Sequence, residues 1–191
     1  MSTFVPLGRI PKSREDRQLL ISEKILQEER MANMGLAHVR KAVADYLQLE
    51  KGYHEDDLEI ESEFSIELGD ALFTVKSDLV LKAEGRAFML VKCAMTSPES
   101  WERYTVAMCR VACAGTIPFC LVTDGEFARL LDVSTGRTVS EGFKSLPSKQ
   151  EALKIMNEVL SSPFVCAKPE KEKRILLAFE GLSCSADKDS R

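Results

Sequence analysis

The tightest constraint on the fold is an amphipathic helical pattern set between two apolar segments. Ile117-Pro118-Phe119-Cys120-Leu121-Val122-Thr123 is a continuous apolar run, as a covered central strand should be, and an apolar strand over Ala87–Cys93 precedes it. Between them, Ser97 stands as an N-cap, with Pro98 at the first helical position, where its missing N–H costs nothing. Trp101, Tyr104, Met108, Val111 and Ala112 form the inner face of this helix, and Gly115 is placed to end it. Strand, crossover helix, strand predicts a sheet covered by helices.

The flanking segments extend this unit. Leu58, Ile60, Phe64 and Ile66 alternate with Glu59, Glu61, Glu63 and Ser65, the two-residue period of a half-exposed strand. With Leu72–Lys82 and Ala87–Cys93, joined at Gly69-Asp70 and Glu84-Gly85, it predicts an antiparallel meander. Asp124-Gly125 leads into a further strand, Phe127–Val133. Upstream, Leu36, Val39, Val43, Tyr46 and Leu47 recur at helical spacing, and Gly35 separates them from a charged surface helix over Arg14–Met31 that carries Leu19, Leu20, Ile25 and Leu26. Downstream, Ser148 caps a helix over Lys149–Leu160, and Pro169–Leu182 follows as another. The expectation is an α/β fold with a mixed sheet: a helical extension over 1–35, a core over 36–146, C-terminal helices over 147–182 and a frayed tail over 183–191.

Charge and cysteine usage narrow the function. A formal net charge of -4 lacks the cationic excess that condenses onto a phosphate backbone, so any DNA contact must come from a local basic patch. The six cysteines, Cys93, Cys109, Cys113, Cys120, Cys166 and Cys184, include no pair at the two-residue spacing of zinc or redox motifs, and are expected as buried reduced thiols. The run Glu55-Asp56-Asp57 reads as a solvated loop, and His38 and His54 repeat no metal motif. No apolar stretch reaches the ~18 residues of a membrane span, and nothing reads as a signal peptide, so the cytoplasm is expected.

Chemistry concentrates where a carboxylate on one strand, in Ser77-Asp78-Leu79-Val80, precedes a lysine on the next, in Leu90-Val91-Lys92-Cys93-Ala94. Lys92 closes an apolar run, where an unpaired ammonium would cost several kcal/mol. Either it snorkels to solvent at the strand's exit, or it pairs with Asp78.

The stretch from Ala37 to Val139 resembles the N-terminal nuclease-like domain of type I restriction enzyme R subunits, in the PD-(D/E)xK nuclease superfamily. The resemblance rests on the helix Val39-Arg40-Lys41-Ala42-Val43, the Asp78 strand, the Lys92 strand, the crossover helix and the segment Ile117–Gly125. It implies a metal-dependent DNA endonuclease in which Asp78 binds Mg²⁺ or Mn²⁺ and Lys92 positions the attacking water. The glutamate expected two residues before Lys92 is replaced by Leu90, which offers no oxygen. Substitute carboxylates would be Glu63 or Glu102. Tyr104 is placed to match a tyrosine of the family's crossover helix, with Ser100 where a glutamine is expected. The other reading is a non-catalytic module of the same fold that binds nucleic acid or protein, or dimerises through Leu19, Leu26, Ile175 and Phe179 on the terminal helices.

Overall fold

The computed structural model describes residues 13–95, 97–112, 116–161 and 165–183. Six strands form one sheet in the order β1 (Leu58–Ile60), β4 (Leu79–Ala83), β5 (Arg86–Cys93), β6 (Phe119–Thr123), β7 (Ala128–Asp132) and β8 (Thr138–Glu141). The remaining two strands, β2 (Glu63–Leu68) and β3 (Ala71–Lys76), pair only with each other. β5 and β6 run parallel, joined by a 3-10 turn over Pro98–Trp101 and helix α2 (Glu102–Ala112), while every other pairing is antiparallel. Three further helices are α1 (Arg14–Lys51), α3 (Lys149–Ser161) and α4 (Pro169–Ser183). The mixed α/β architecture agrees with the reading from sequence.

Two apolar layers clothe the sheet. On one face Leu79, Leu81, Met89, Val91 and Leu121 pack with Val39, Val43 and Leu47 of α1 and with Ala152 and Met156 of α3. On the other, Leu90, Cys120, Val122 and Leu131 pack with Tyr104, Ala107 and Met108 of α2, Leu176 of α4, and Ile66 and Val75 of the β2–β3 hairpin. Alternation along β5 sorts its residues between these layers, so neither face is wet.

The expected meander is corrected in one respect: its first two strands leave the sheet together. Glu61 adopts a left-handed φ of 54°, and the ribbon bends there without losing register. Ile60 pairs with Leu79, and three residues further on each strand Glu63 pairs with Lys76. Across the bend Glu61 N–H donates to the Asp78 carbonyl at 3.1 Å and Ser77 N–H donates to the Ser62 carbonyl at 3.0 Å. The bend carries Ile66 and Val75 over the sheet, where both are buried, instead of leaving them on a flat extension in water.

Gly35 does not divide two helices, because α1 runs through it. A Cβ built there would lie 2.5 Å from Met95 Cε and 2.6 Å from Sδ, so the glycine admits a close approach rather than a stop. Gly35→Ala is expected to gain about 1 kcal/mol of helix propensity when Met95 is also alanine, and markedly less alone. Urea unfolding of the four proteins of that cycle checks it.

Ser97 stands at the expected N-cap position, with Pro98 first in the turn, but its side chain does not cap. It has φ 48° and makes no side-chain capping bond, because the chain turns sharply from β5 into the 3-10 turn. At α3 the expected cap is present: Ser148 N–H and Oγ both donate to Glu151 Oε2 at 2.8 Å. The acidic run Glu55–Asp57 is a 3-10 turn with Glu55 and Asp56 exposed to solvent, as expected, while Asp57 is half-buried and accepts from Lys149 Nζ at 2.6 Å. Partial burial pushes the Asp57 carboxyl up, yet the Lys149 and His54 hydrogen bonds outweigh it and hold the group below its usual range. Strand β8 had no counterpart in the sequence reading, and the expected Gly115 stop and the tail beyond Ser183 lie outside the described residues. No described helix is long and apolar enough to cross a membrane.

Candidate functional site

The ribbon bend sets Asp78 at the point where β4 enters the sheet. Its N–H donates to the Val91 carbonyl at 3.2 Å, and its carboxylate oxygen Oδ2 accepts from Cys93 N–H and forms an ion pair with Lys92 Nζ, both at 2.9 Å. The other oxygen, Oδ1, faces Arg40 Nη1 of α1 at 3.7 Å. Arg40 in turn makes a close ion pair with Glu61. Asp78 is 5% exposed, so these contacts replace the water that would otherwise solvate it. Lys92 does pair with Asp78, and its ammonium sits 5.2 Å from the centre of the Trp101 ring, a favourable place for a cation.

A cavity of about 480 Å³ opens on this cluster, lined by Asn33, Leu36, Arg40, Glu61, Lys76, Ser77, Asp78 and Lys92. Lys76 and Lys92 also line a neighbouring cavity of about 230 Å³, with Thr74, Trp101, Tyr104, Phe179 and Glu180. Three cations therefore face the first cavity against the two carboxylates Glu61 and Asp78.

The other candidate residues fall elsewhere. Glu63 pairs across the hairpin with Lys76 at 2.6 Å and does not line the cavity. Glu102 is held by Arg129, which also binds Glu141 at 3.0 Å on β8. Tyr104 donates its hydroxyl to Glu180 of α4 at 2.6 Å, and burial together with that bond pushes the phenol well above its ordinary range. Ser100 Oγ donates to the carbonyl of Ser97 within its own turn. Leu90 is fully buried beneath the hairpin and α2. His38 and His54 are exposed.

Two members of the cluster, Arg40 and Glu61, were not anticipated. Arg40 did leave a trace in the sequence: it stands four residues after Leu36 and three before Val43, on the apolar stripe of α1, where a cation needs an internal partner.

The residues present do not fit a divalent metal. Mg²⁺ and Mn²⁺ take several hard oxygen ligands, and here one buried carboxylate already faces two cations and a peptide N–H. Glu61 is engaged by Arg40, and Leu90 contributes no donor. Among the described residues no group of three or more Asp, Glu, His or Cys side chains could hold a metal ion.

Cys93 sits under the cluster with its side chain in the core, and burial, reinforced by the Asp78 charge, pushes its thiol up to about 12. Cys109 and Cys120 are also buried, as expected, whereas Cys166 is partly exposed. Native protein at pH 8 is expected to react with iodoacetamide at Cys166 and to leave Cys93, Cys109 and Cys120 unmodified until it is unfolded; peptide mass mapping of the alkylated chain checks this. Cys113 and Cys184 lie outside the described residues.

No curated protein and no solved structure gives a match. Residues 37–147, more than half of the chain, match the family described as type I restriction enzyme R protein N terminus. That span runs from the Arg40 turn of α1 through both strands of the Asp78–Lys92 pair to β8, and the chain belongs to the type I restriction enzyme R protein N-terminal family.

Proposed function

We propose that the domain binds nucleic acid without a metal and without cutting it. One observation carries this reading: each carboxylate oxygen of Asp78 faces a group of the protein itself, Lys92 and the Cys93 N–H on one side and Arg40 on the other. A catalytic carboxylate must present oxygens to an ion, whereas this one holds two cations in place beside a cavity. Lys76, the most exposed of the three cations, reaches from its ion pair with Glu63 toward the second cavity, whose wall includes the Trp101 ring. Closely spaced cations beside an aromatic ring suit a phosphate chain with a base stacked at its side.

Fluorescence anisotropy with labelled single- and double-stranded DNA at low salt, in EDTA, tests the proposal. The expected result is binding that does not require Mg²⁺ and weakens steeply with salt. Lys76→Ala should weaken it several-fold, since one phosphate contact is lost. Absence of binding at low salt would sink the reading. Strand cleavage that requires Mg²⁺ or Mn²⁺ and vanishes in Asp78→Ala would replace it with the nuclease.

A further inference from the structure

We infer that a third cavity, toward the opposite ends of the strands from Asp78, binds a small organic anion: a molecule with one acidic group on an apolar body. This cavity, about 580 Å³, lies between strands β6, β7 and β8 and helix α3, with Lys51 from the end of α1 in its wall. Its volume is within the range of sites for small organic molecules. It is separate from the cleft at Asp78. Phe119 opens β6, whereas Lys92 pairs with Val122 near the other end of that strand. Lys51 stands eleven residues after Arg40 in α1, roughly 16 Å along the helix.

The register of the sheet gives the cavity an apolar floor. Leu121 pairs with Leu130, so Phe119, two residues before Leu121, shares a face of the sheet with Leu130. Both line the cavity, and α3 sets Ile155 beside them. Because α3 turns Ala152 and Met156 to the core, this corner of the sheet is left open: Phe119 and Ile155 are only half-buried, and Val139 at the rim is 53% exposed. Apolar side chains gathered around a concave space suit an apolar body that fits within it. The charge at the mouth selects an anion. Lys51, Lys144 and Lys154 line the cavity against one carboxylate, Glu151, which already accepts from Ser148 N–H and Oγ. Lys51 Nζ donates to the Lys144 carbonyl at 2.7 Å, whereas the ammonium groups of Lys144 and Lys154 have no ion-pair or hydrogen-bond partner among the described residues. An ammonium on a flexible stem is a point charge without a fixed fork, so it selects the sign of the head group more than its shape.

Backbone amide NMR of the full chain, titrated with sodium decanoate, decanol and sodium acetate, tests the inference. Decanoate should shift amides around the cavity, those of Phe119, Val139, Ser145 and Ile155 among them, and should bind at least about tenfold more tightly than decanol. Acetate, which has the charge without the tail, should leave these amides unmoved at the same concentrations. Lys144→Ala/Lys154→Ala should weaken decanoate about tenfold and leave decanol unchanged, with no loss of melting temperature, because both lysines are exposed. Decanoate that moves no amide at the cavity up to its aggregation limit, or moves only the exposed apolar positions of α1, overturns the site. Equal affinity for decanoate and decanol, or a double variant that binds decanoate as the wild type does, overturns the selection of an anion.

Discussion

Asp78→Ala is expected to destabilise the folded chain by about 3 kcal/mol, equivalent to a fall of roughly 6–12 °C in melting temperature for a domain of this size. The loss is large because three groups depend on this carboxylate. Cys93 N–H donates to it, Lys92 forms an ion pair with the same oxygen, and Arg40 leans on its second oxygen. Removing it leaves an ammonium at the end of an apolar strand and an unpaired backbone donor within the protein. Asp78→Asn should fall between the two, because an amide oxygen can still accept from Cys93 but brings no charge to balance the cations. The sign of the change separates the two functional readings. A carboxylate kept for a metal repels its neighbours in the metal-free protein, so its removal stabilises; a gain in stability by urea unfolding in EDTA would mean that Asp78 is held for a ligand.

Leu90→Glu is expected to cost more still, above about 4 kcal/mol, although it restores the residue that the family resemblance leads one to expect there. Leu90 is fully enclosed, in a layer that includes Ile66, Val75, Tyr104 and Val122. A carboxylate at this position would be buried without a free cation, since Lys92 is already committed to Asp78. Leu90→Ala provides the comparison. It should cost about 3 kcal/mol through the cavity alone, so the excess in the glutamate variant measures the buried charge. Added Mn²⁺ should leave the melting temperature of Leu90→Glu unchanged. A rise of several degrees confined to that variant would show that the cleft retains the remaining ligands of a metal centre and would overturn the metal-independent reading.

Local patterns carried the order of elements into the sequence. The apolar run at Ile117–Thr123, the Ser148 cap with Glu151 three residues on, and the turns at Gly69-Asp70 and Glu84-Gly85 each follow from interactions within a few residues. The bend at Glu61 does not. Polar and apolar residues alternate from Leu58 to Ile66 except at Ser62, whose polar side chain at an apolar position does not by itself specify a bend, and the layer formed by α2 and α4 decides that Ile66 and Val75 belong above the sheet. Strand β8, four residues with a polar composition at the edge of the sheet, offers too weak a pattern to be read. The site divides in the same way. Asp78 and Lys92 stood out as charges within apolar strands, but Arg40 and Glu61 join them only because α1 crosses the bent ribbon. Glu63 and Glu102 carry the right chemistry, yet each is claimed by a cation of its own, Lys76 and Arg129.

The unbroken register through the ribbon bend also governs how the domain comes apart. β1 and β4 belong to the sheet, β2 and β3 to the layer above it, and the same two segments of backbone run through both. Neither layer can open by itself without pulling on the hydrogen bonds at Glu61 and Ser77, so the bend acts as a mechanical splice between two cores. Amides beneath the hairpin and amides beneath α1 should then share one opening free energy in native-state hydrogen exchange, and the domain should unfold as a single cooperative unit.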